Sequence, residues 1–269
     1  MYLDLSLENK VISIVKDAVS LVKNIRFEIL EKGNSSNIVT TSDLKSQDFL
    51  VSKLKELIPG CGFYCEENDL QDLSKEYVWV IDPIDGTTNY SRGINECAIS
   101  VGLLHNKKCV LGVVHNIFLN ECFSATINLG ARLNGETVKV SNNPFEKGIL
   151  CTAMSLYKKD LAKKCSDIIY ELYMKCNDYR RFGSCAIELC YLACGRCDLY
   201  FEIRVFPWDY AGAYMILKEA GGVIKGIDLN ELSFDRPTPV IAANNFENLE
   251  VINETVNKYF DLKGDSIYE

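Results

Sequence analysis

Leu7, Val11, Ile14, Val15, Ala18, Val22, Ile25 and Ile29 recur at helical spacing. They predict one long amphipathic helix that stops near Lys32-Gly33-Asn34. The polar stretch 34–42, with Ile38-Val39 inside it, predicts a mobile loop or a short hairpin. Leu50, Leu54, Leu57 and Ile58 mark the core face of a second helix, which Pro59-Gly60 ends. Asp43 is placed to N-cap that helix, and capping alone would account for it. Cys61 to Cys65 reads as a short strand that delivers Glu66-Glu67. Tyr77 to Ile81 is an aromatic and β-branched run, the pattern of a buried strand. Ala98–Leu104, Val110–His115 and Cys122–Thr126 continue in β-like fashion, and 130–135 with 138–140 predicts a hairpin. The expectation for this half is an antiparallel or mixed sheet backed by the first two helices.

Near Ile149 the pattern changes to alternation of strand and helix. Strands are predicted at 149–153, 198–203 and 240–243. Helices are predicted through Leu161, Cys165, Ile168, Ile169 and Leu172, through Cys185 to Ala193, from Pro207 to the Gly221-Gly222 stop, and through Leu249, Ile252 and Val256. No repeat, low-complexity segment or linker interrupts the chain. The expectation is a single domain of layered α and β structure, in two halves, 1–148 and 149–269.

Composition narrows the class. A chain of 269 residues supports a sizeable core, and a net charge of −8 argues against bulk nucleic-acid binding and against an anionic membrane surface. No run of 18 apolar residues occurs, so no transmembrane helix is expected. The start, Met1 to Ser6, lacks the basic and apolar regions of a signal peptide. Twelve cysteines without such a signal point to a reducing, cytoplasmic location. Cys185, Ala186, Leu189, Cys190 and Ala193 share an apolar helix face, so these cysteines read as packing residues rather than as zinc or redox ligands. His105 and His115 are isolated in strand-like segments and read as surface or packing residues.

The candidate chemistry centres on Trp79 to Asn89. Asp82-Pro83-Ile84-Asp85 is expected to break the preceding strand, because Pro83 has no amide hydrogen to give to a ladder. The break holds two carboxylates close together. Gly86 allows close backbone approach, and Thr87 to Asn89 can open a short helix with free N–H groups. Two carboxylates suit a hard cation, and free N–H groups suit a phosphate. The segment also reads as a plain turn, or as the aspartyl-phosphate signature D-x-D-G-T. In that signature one residue separates the acids, whereas Pro83 and Ile84 separate them here. Asp209, after Trp208 at a helix start, is either a cap or a third carboxylate for the same cation.

With these residues in view, the chain resembles the inositol monophosphatase family nearly end to end. Glu66-Glu67, Trp79 to Asn89, Leu133-Asn134-Gly135, Val140-Ser141, Gly183-Ser184, Trp208 to Ala213, Glu219 to Gly222 and Ile241 to Asn244 follow the family pattern in order. The resemblance implies a layered α-β-α-β-α sandwich and Mg²⁺-dependent, lithium-sensitive hydrolysis of a small-molecule phosphate monoester, inositol 1-phosphate first, by a homodimeric enzyme. It implies that Glu66, Asp82 and the Ile84 carbonyl hold one Mg²⁺, that Asp82, Asp85 and Asp209 hold a second, and that Glu66 helps a weaker third. It implies that the Gly86 and Thr87 amides receive the phosphate, with Asp85 also facing the substrate. Asp43 would pair with the Thr87 hydroxyl to activate water, Glu202 would receive substrate hydroxyls, and Cys185 would contact substrate where the family often has Ala. Two positions depart from the pattern: Asn37 stands where Asp is common, and Arg204 stands where small residues are frequent. Relatives of similar pattern act on fructose 1,6-bisphosphate, histidinol phosphate or 3′-phosphoadenosine 5′-phosphate. Others bind RNA polymerase or its antitermination factors, so a regulatory role is the alternative of a different class.

Overall fold

The computed structural model describes residues 3–31, 38–67, 70–154 and 159–260. Asn37 lies outside them. The first half runs α1 (Leu5–Lys23), β1 (Ile29–Glu31), β2 (Ile38–Thr40), α2 (Thr41–Leu57), β3 (Gly62–Cys65), β4 (Tyr77–Asp85), α3 (Thr87–Arg92), β5 (Ala98–His105), β6 (Lys108–Asn116), β7 (Cys122–Thr126), β8 (Ala131–Leu133) and β9 (Glu136–Thr137). The second runs β10 (Ile149–Thr152), α4 (Ala162–Tyr173), β11 (Asp178–Arg180), α5 (Cys185–Ala193), β12 (Leu199–Val205), α6 (Pro207–Glu219), β13 (Val223–Lys225), β14 (Thr238–Ala243) and α7 (Phe246–Asn257).

β3 to β9 form a seven-stranded sheet in sequence order. β3 lies parallel to β4, and every later neighbour is antiparallel. β11-β10-β12-β14-β13 form a five-stranded mixed sheet. Side chains alternate across each sheet and so divide the core. Trp79 and Ile81 of β4 pack against Val11, Val15, Leu50 and Leu54 of α1 and α2. Val78 and Val80, from the opposite face, join the α5 and α6 side chains and Tyr200, Val240 and Ala242 of the second sheet. Phe201 and Ile241, on that sheet's far face, pack with Ile168 of α4 and Ile252 of α7. The layers are therefore α-β-α-β-α, as expected.

The middle helix layer sits directly on the first sheet. A Cβ at Gly112 would stand 2.0 Å from the Gly212 carbonyl oxygen, and one at Gly102 would stand 2.8 Å from the Ala211 Cβ. Bare backbone on β5 and β6 is what lets α6 approach so closely, and α6 carries Asp209 in its first turn.

The first helix is shorter than its apolar spacing predicts. It ends at Lys23, where the Asn24 side chain bonds back to the Ser20 carbonyl at 2.8 Å. Ile29 instead pairs with Thr40 in the β1–β2 hairpin, and Phe27 packs on Tyr90 with ring centroids 5.0 Å apart. A 3.6-residue stripe and a following strand bury similar residues, so spacing alone runs past the boundary. The hairpin reading of 34–42 survives in β2, with its tip outside the described residues. Residues 138–140 form no strand: Thr137 ends β9, and Val140 N–H bonds to the Ala220 carbonyl instead. β11 and β13, three residues each, carry too little pattern to be seen in the sequence.

Candidate active site

β4 does not break at Asp82. It continues to Asp85 through a bulge: Asp82 pairs with Ser100 and Asp85 with Ala98, three residue steps against two. In a regular strand, side chains three apart point to opposite faces. The extra residue cancels that alternation and brings both carboxylates to one side. Pro83 is tolerated because a bulge leaves a ladder donor unneeded. Its carbonyl accepts the Ser46 hydroxyl at 3.0 Å, and Asp82 Oδ1 accepts the Ile84 N–H at 3.0 Å, which fixes the bend. Gly86, at φ 83°, then turns the chain into α3. A Cβ there would meet the Glu96 carbonyl oxygen at 3.0 Å.

Asp43 is the third residue of α2 rather than its cap. Thr40 caps the helix, and Asp43 Oδ2 accepts the Thr40 N–H at 2.8 Å and the Thr40 hydroxyl at 2.5 Å. The capping reading and the functional reading therefore fall on different oxygens. Asp43 Oδ1 lies 3.1 Å from Thr87 Oγ1, which is also 3.0 Å from the Ile84 carbonyl oxygen. One hydroxyl proton serves one of these acceptors at a time. Burial pushes the Asp43 pKa up to about 6, against the pull of the Thr40 hydrogen bonds.

Asp85 Oδ2 accepts the Ser184 hydroxyl at 2.6 Å and the Ala186 N–H at 2.7 Å, so the start of α5 holds it. Burial raises its pKa to about 6, with those bonds opposing. Asp209 Oδ2 accepts the Phe206 N–H at 2.8 Å. Its pKa is raised by burial, then by the charges of Asp85 and Glu66. Asp82 is raised by burial, then by Glu66, Asp85, Asp209 and Asp43. Gln47 grips the neighbouring backbone: its Nε2 donates to the Glu67 carbonyl at 2.6 Å, and its Oε1 accepts the Glu67 N–H at 3.0 Å. The Glu67 side chain is buried, and Glu66 lines the cavity.

One cavity of about 500 Å³ gathers nearly the whole predicted set. Glu66, Asp82, Ile84, Asp85 and Asp209 line it, and so do Gly86, Thr87, Cys185, Glu202 and Arg204. Asp43 stands behind Thr87, outside the lining. Among the described residues, no three His, Cys, Asp or Glu side chains form a ready-made metal cage. The carboxylates are instead spread along the cavity, with oxygens of Asp82, Asp85 and Asp209 bonded to backbone N–H groups. All-oxygen donors that raise one another's pKa are nonetheless the set a hard cation neutralises, so the residues fit Mg²⁺ by their chemistry.

Glu202 accepts the Tyr200 hydroxyl at 2.8 Å, and that hydroxyl lies 3.1 Å from Cys185 Sγ. Burial lifts the Glu202 pKa to about 7; the Tyr200 bond and the Arg181 charge lower it, and Asp85 raises it. Sequence reasoning missed three charged lining residues: Arg92, Arg181 and Glu188. Glu188 was the most legible, an acid inside the apolar α5 stripe. It is buried, and its Oε1 accepts the N–H groups of Phe182 at 2.6 Å and Gly183 at 3.0 Å. The packing reading of Cys190, Leu189 and Ala193 agrees with their full burial. His105 stacks on Tyr77 at 4.5 Å, and His115 is buried against the Asn116 carbonyl at 2.8 Å. No helix among the described residues is long and apolar enough to cross a membrane.

A five-layer sandwich with a carboxylate-lined cavity beside a glycine turn defines a class of phosphatase. A sequence model of the inositol monophosphatase family matches residues 2–260, and the chain belongs to that family. It is 34% identical over 253 residues to inositol monophosphatase 3 of Solanum lycopersicum, covering 91% of this chain and 92% of the relative. It is 34% identical over 209 residues to Nus factor SuhB of Vibrio cholerae, covering 77% and 78%. The solved structure of an inositol monophosphatase from Anabaena (Nostoc) superposes with a TM-score of 0.83 at 26% identity, covering 97% of this chain and 99% of that one.

Proposed function

We propose that this chain is a Mg²⁺-dependent hydrolase of small phosphate monoesters, with inositol 1-phosphate the first substrate to test. The β4 bulge carries the reading, because it turns Asp82 and Asp85 into the cavity that Glu66 and Asp209 also line. Glu66, Asp82 and the Ile84 carbonyl would hold one ion. Asp82, Asp85 and Asp209 would hold a second, and Glu66 would help a third. Bound Mg²⁺ supplies charge neutralisation of the phosphate, a lowered pKa for water and stabilisation of the leaving alkoxide.

The chain's own groups do the rest. The Gly86 and Thr87 amides bond the phosphate oxygens. Thr87 Oγ1 orients the attacking water and takes its proton as the Thr87 hydroxyl proton passes to Asp43 Oδ1. Asp43 Oδ2 is held by Thr40, so the carboxylate keeps one oxygen aimed at Thr87. Glu202, fixed by Tyr200, accepts substrate hydroxyls. The central core draws on both halves, 1–148 and 149–269, which supports one folding unit. Twelve free thiols, most of them buried, support a cytoplasmic location. A homodimer belongs to the same reading, and sedimentation of the purified chain checks it.

A phosphatase screen over sugar, polyol, nucleotide and amino-alcohol phosphates with Mg²⁺ tests the proposal. Full activity in excess EDTA contradicts the metal claim, and insensitivity to Li⁺ contradicts the family-like second site. The relatives named Nus factor SuhB motivate a second reading, a regulator of transcription. A pull-down with transcription factors, compared with an Asp209→Asn variant, separates binding from turnover.

A further inference from the structure

α2 reaches the site three times without lining the cavity. Asp43, Ser46, Gln47, Leu50 and Leu54 recur at helical spacing and are all fully buried, so they form one stripe. The apolar half of that stripe packs in the core with α1 and β4. In the polar half, each side chain holds a different segment of the site. Asp43 Oδ1 meets Thr87 Oγ1 at 3.1 Å. The Ser46 hydroxyl donates to the Pro83 carbonyl at 3.0 Å, inside the bulge between Asp82 and Asp85. Gln47 holds Glu67, the residue after Glu66.

Gln47 takes the place of a strand neighbour. β3 ends at Cys65, which pairs with Ile81, and the Glu66 N–H still reaches the Ile81 carbonyl at 3.2 Å. One residue further, the Glu67 N–H goes to Gln47 Oε1 at 3.0 Å, and the Glu67 carbonyl accepts from Gln47 Nε2 at 2.6 Å. An adjacent strand exchanges the same two bonds with one residue. Glu66 therefore sits between two anchors, β4 before it and α2 after it. A buried backbone N–H and carbonyl left without partners are costly. Without Gln47, the chain at Glu67 would turn toward water and carry Glu66 with it.

We propose that Gln47 is a positioning residue for the Glu66 carboxylate: it ties the chain beside Glu66 to the helix that carries Asp43, and so keeps the cation-binding end of the cavity aligned with the Asp43–Thr87 pair. The inference rests on the reading of Glu66 as a Mg²⁺ ligand. Gln47 acts through the Glu67 backbone, so its effect falls on ion affinity and not on the proton that passes from Thr87 to Asp43.

Isothermal titration of the purified chain with Mg²⁺, without substrate, reads the effect without turnover. Gln47→Met keeps the length of the side chain and loses both hydrogen bonds. Its Mg²⁺ affinity is expected to fall at least about tenfold, the usual scale for losing a group that orients a metal ligand. Gln47→Asn, one methylene too short to reach Glu67, is expected to show the same loss and serves if the Met variant does not fold. Gln47→Glu keeps the acceptor for the Glu67 N–H and is expected to recover part of the affinity. In steady-state assays, excess Mg²⁺ is expected to return kcat of Gln47→Met to within about threefold of wild type. Leu50→Ala, on the same stripe, is the control: it lowers the melting temperature by removing core packing, yet should leave Mg²⁺ affinity within about twofold. Wild-type Mg²⁺ affinity in the Met and Asn variants overturns the proposal. So does an equal loss in Leu50→Ala, which would mark a general loosening of α2, or a kcat that excess Mg²⁺ does not restore. If the wild-type protein binds no Mg²⁺, the metal reading fails and the inference fails with it; if it binds Mg²⁺ and the variants bind equally well, only the inference fails.

Discussion

Gly112→Ala tests whether the seat of α6 on the first sheet sets the position of Asp209. The added methyl would lie 2.0 Å from the Gly212 carbonyl oxygen and 2.9 Å from its carbon. Ordinary contact needs about 3.5 Å, so strand and helix must part by roughly 1.5 Å. Both partners are backbone in the centre of the molecule, so no side chain can swing away. Overpacking of this kind costs about 3 kcal/mol or more, at the upper end of the usual range, because relief requires moving a whole layer. Asp209 rides on the same helix, and a displacement of about 1 Å in a catalytic constellation lowers turnover on the order of 10²-fold. Urea denaturation gives the first quantity and steady-state kinetics the second. Gly93→Ala is the control: its Cβ meets nothing within 4 Å, though φ is 68°. It should cost about 1 kcal/mol for backbone strain and leave turnover unchanged. Gly112→Ala within 1 kcal/mol of wild type, at wild-type rate, would refute direct seating of α6 as the device that places Asp209.

Three further substitutions probe the site itself. Asp209→Asn keeps the hydrogen bond to Phe206 N–H but loses the charge, so metal affinity should fall at least about tenfold, above roughly 1.4 kcal/mol, with the fold intact by circular dichroism; a wild-type rate at limiting Mg²⁺ would reduce Asp209 to a cap. Thr87→Ala removes the hydroxyl between Asp43 and Ile84 and should lower kcat by about 10²-fold with less effect on KM; an unchanged kcat would free Thr87 of the catalytic role. Glu202→Gln should weaken hydroxyl-rich substrates more than aryl phosphates in kcat/KM, and equal losses across the two would remove its selective role.

Much of the site was legible because its residues break local rules. Acids that follow apolar runs, at Glu66, Asp82 and Asp209, stand out against a buried pattern, and the cavity gathers all of them. The device that unites Asp82 and Asp85 was not legible. Pro83 suggests a broken strand, whereas the chain keeps its pairing and absorbs one extra residue. Bulges depend on the register of the partner strand, here Ser100 and Ala98, which no local window contains. Arg181 and Glu188 were missed because their meaning comes from tertiary neighbours: Arg181 from Glu202, and Glu188 from the Phe182-Gly183 backbone it holds. The layered architecture followed from the change of pattern near Ile149. The end of α1 did not, because the stripe that buries Val22 continues in spacing, though not in structure, to Ile29.

The central claim is that Asp82 and Asp85 serve as cation ligands and that water attacks phosphorus directly. The stereochemical course at phosphorus tests this most directly, using a monoester made chiral by oxygen isotopes and hydrolysed by the wild-type protein with Mg²⁺. A single in-line displacement inverts the configuration, and inversion is the predicted result. Retention would require two displacements through a phosphorylated side chain, with Asp82 or Asp85 as nucleophile, and would contradict the assignment of both residues.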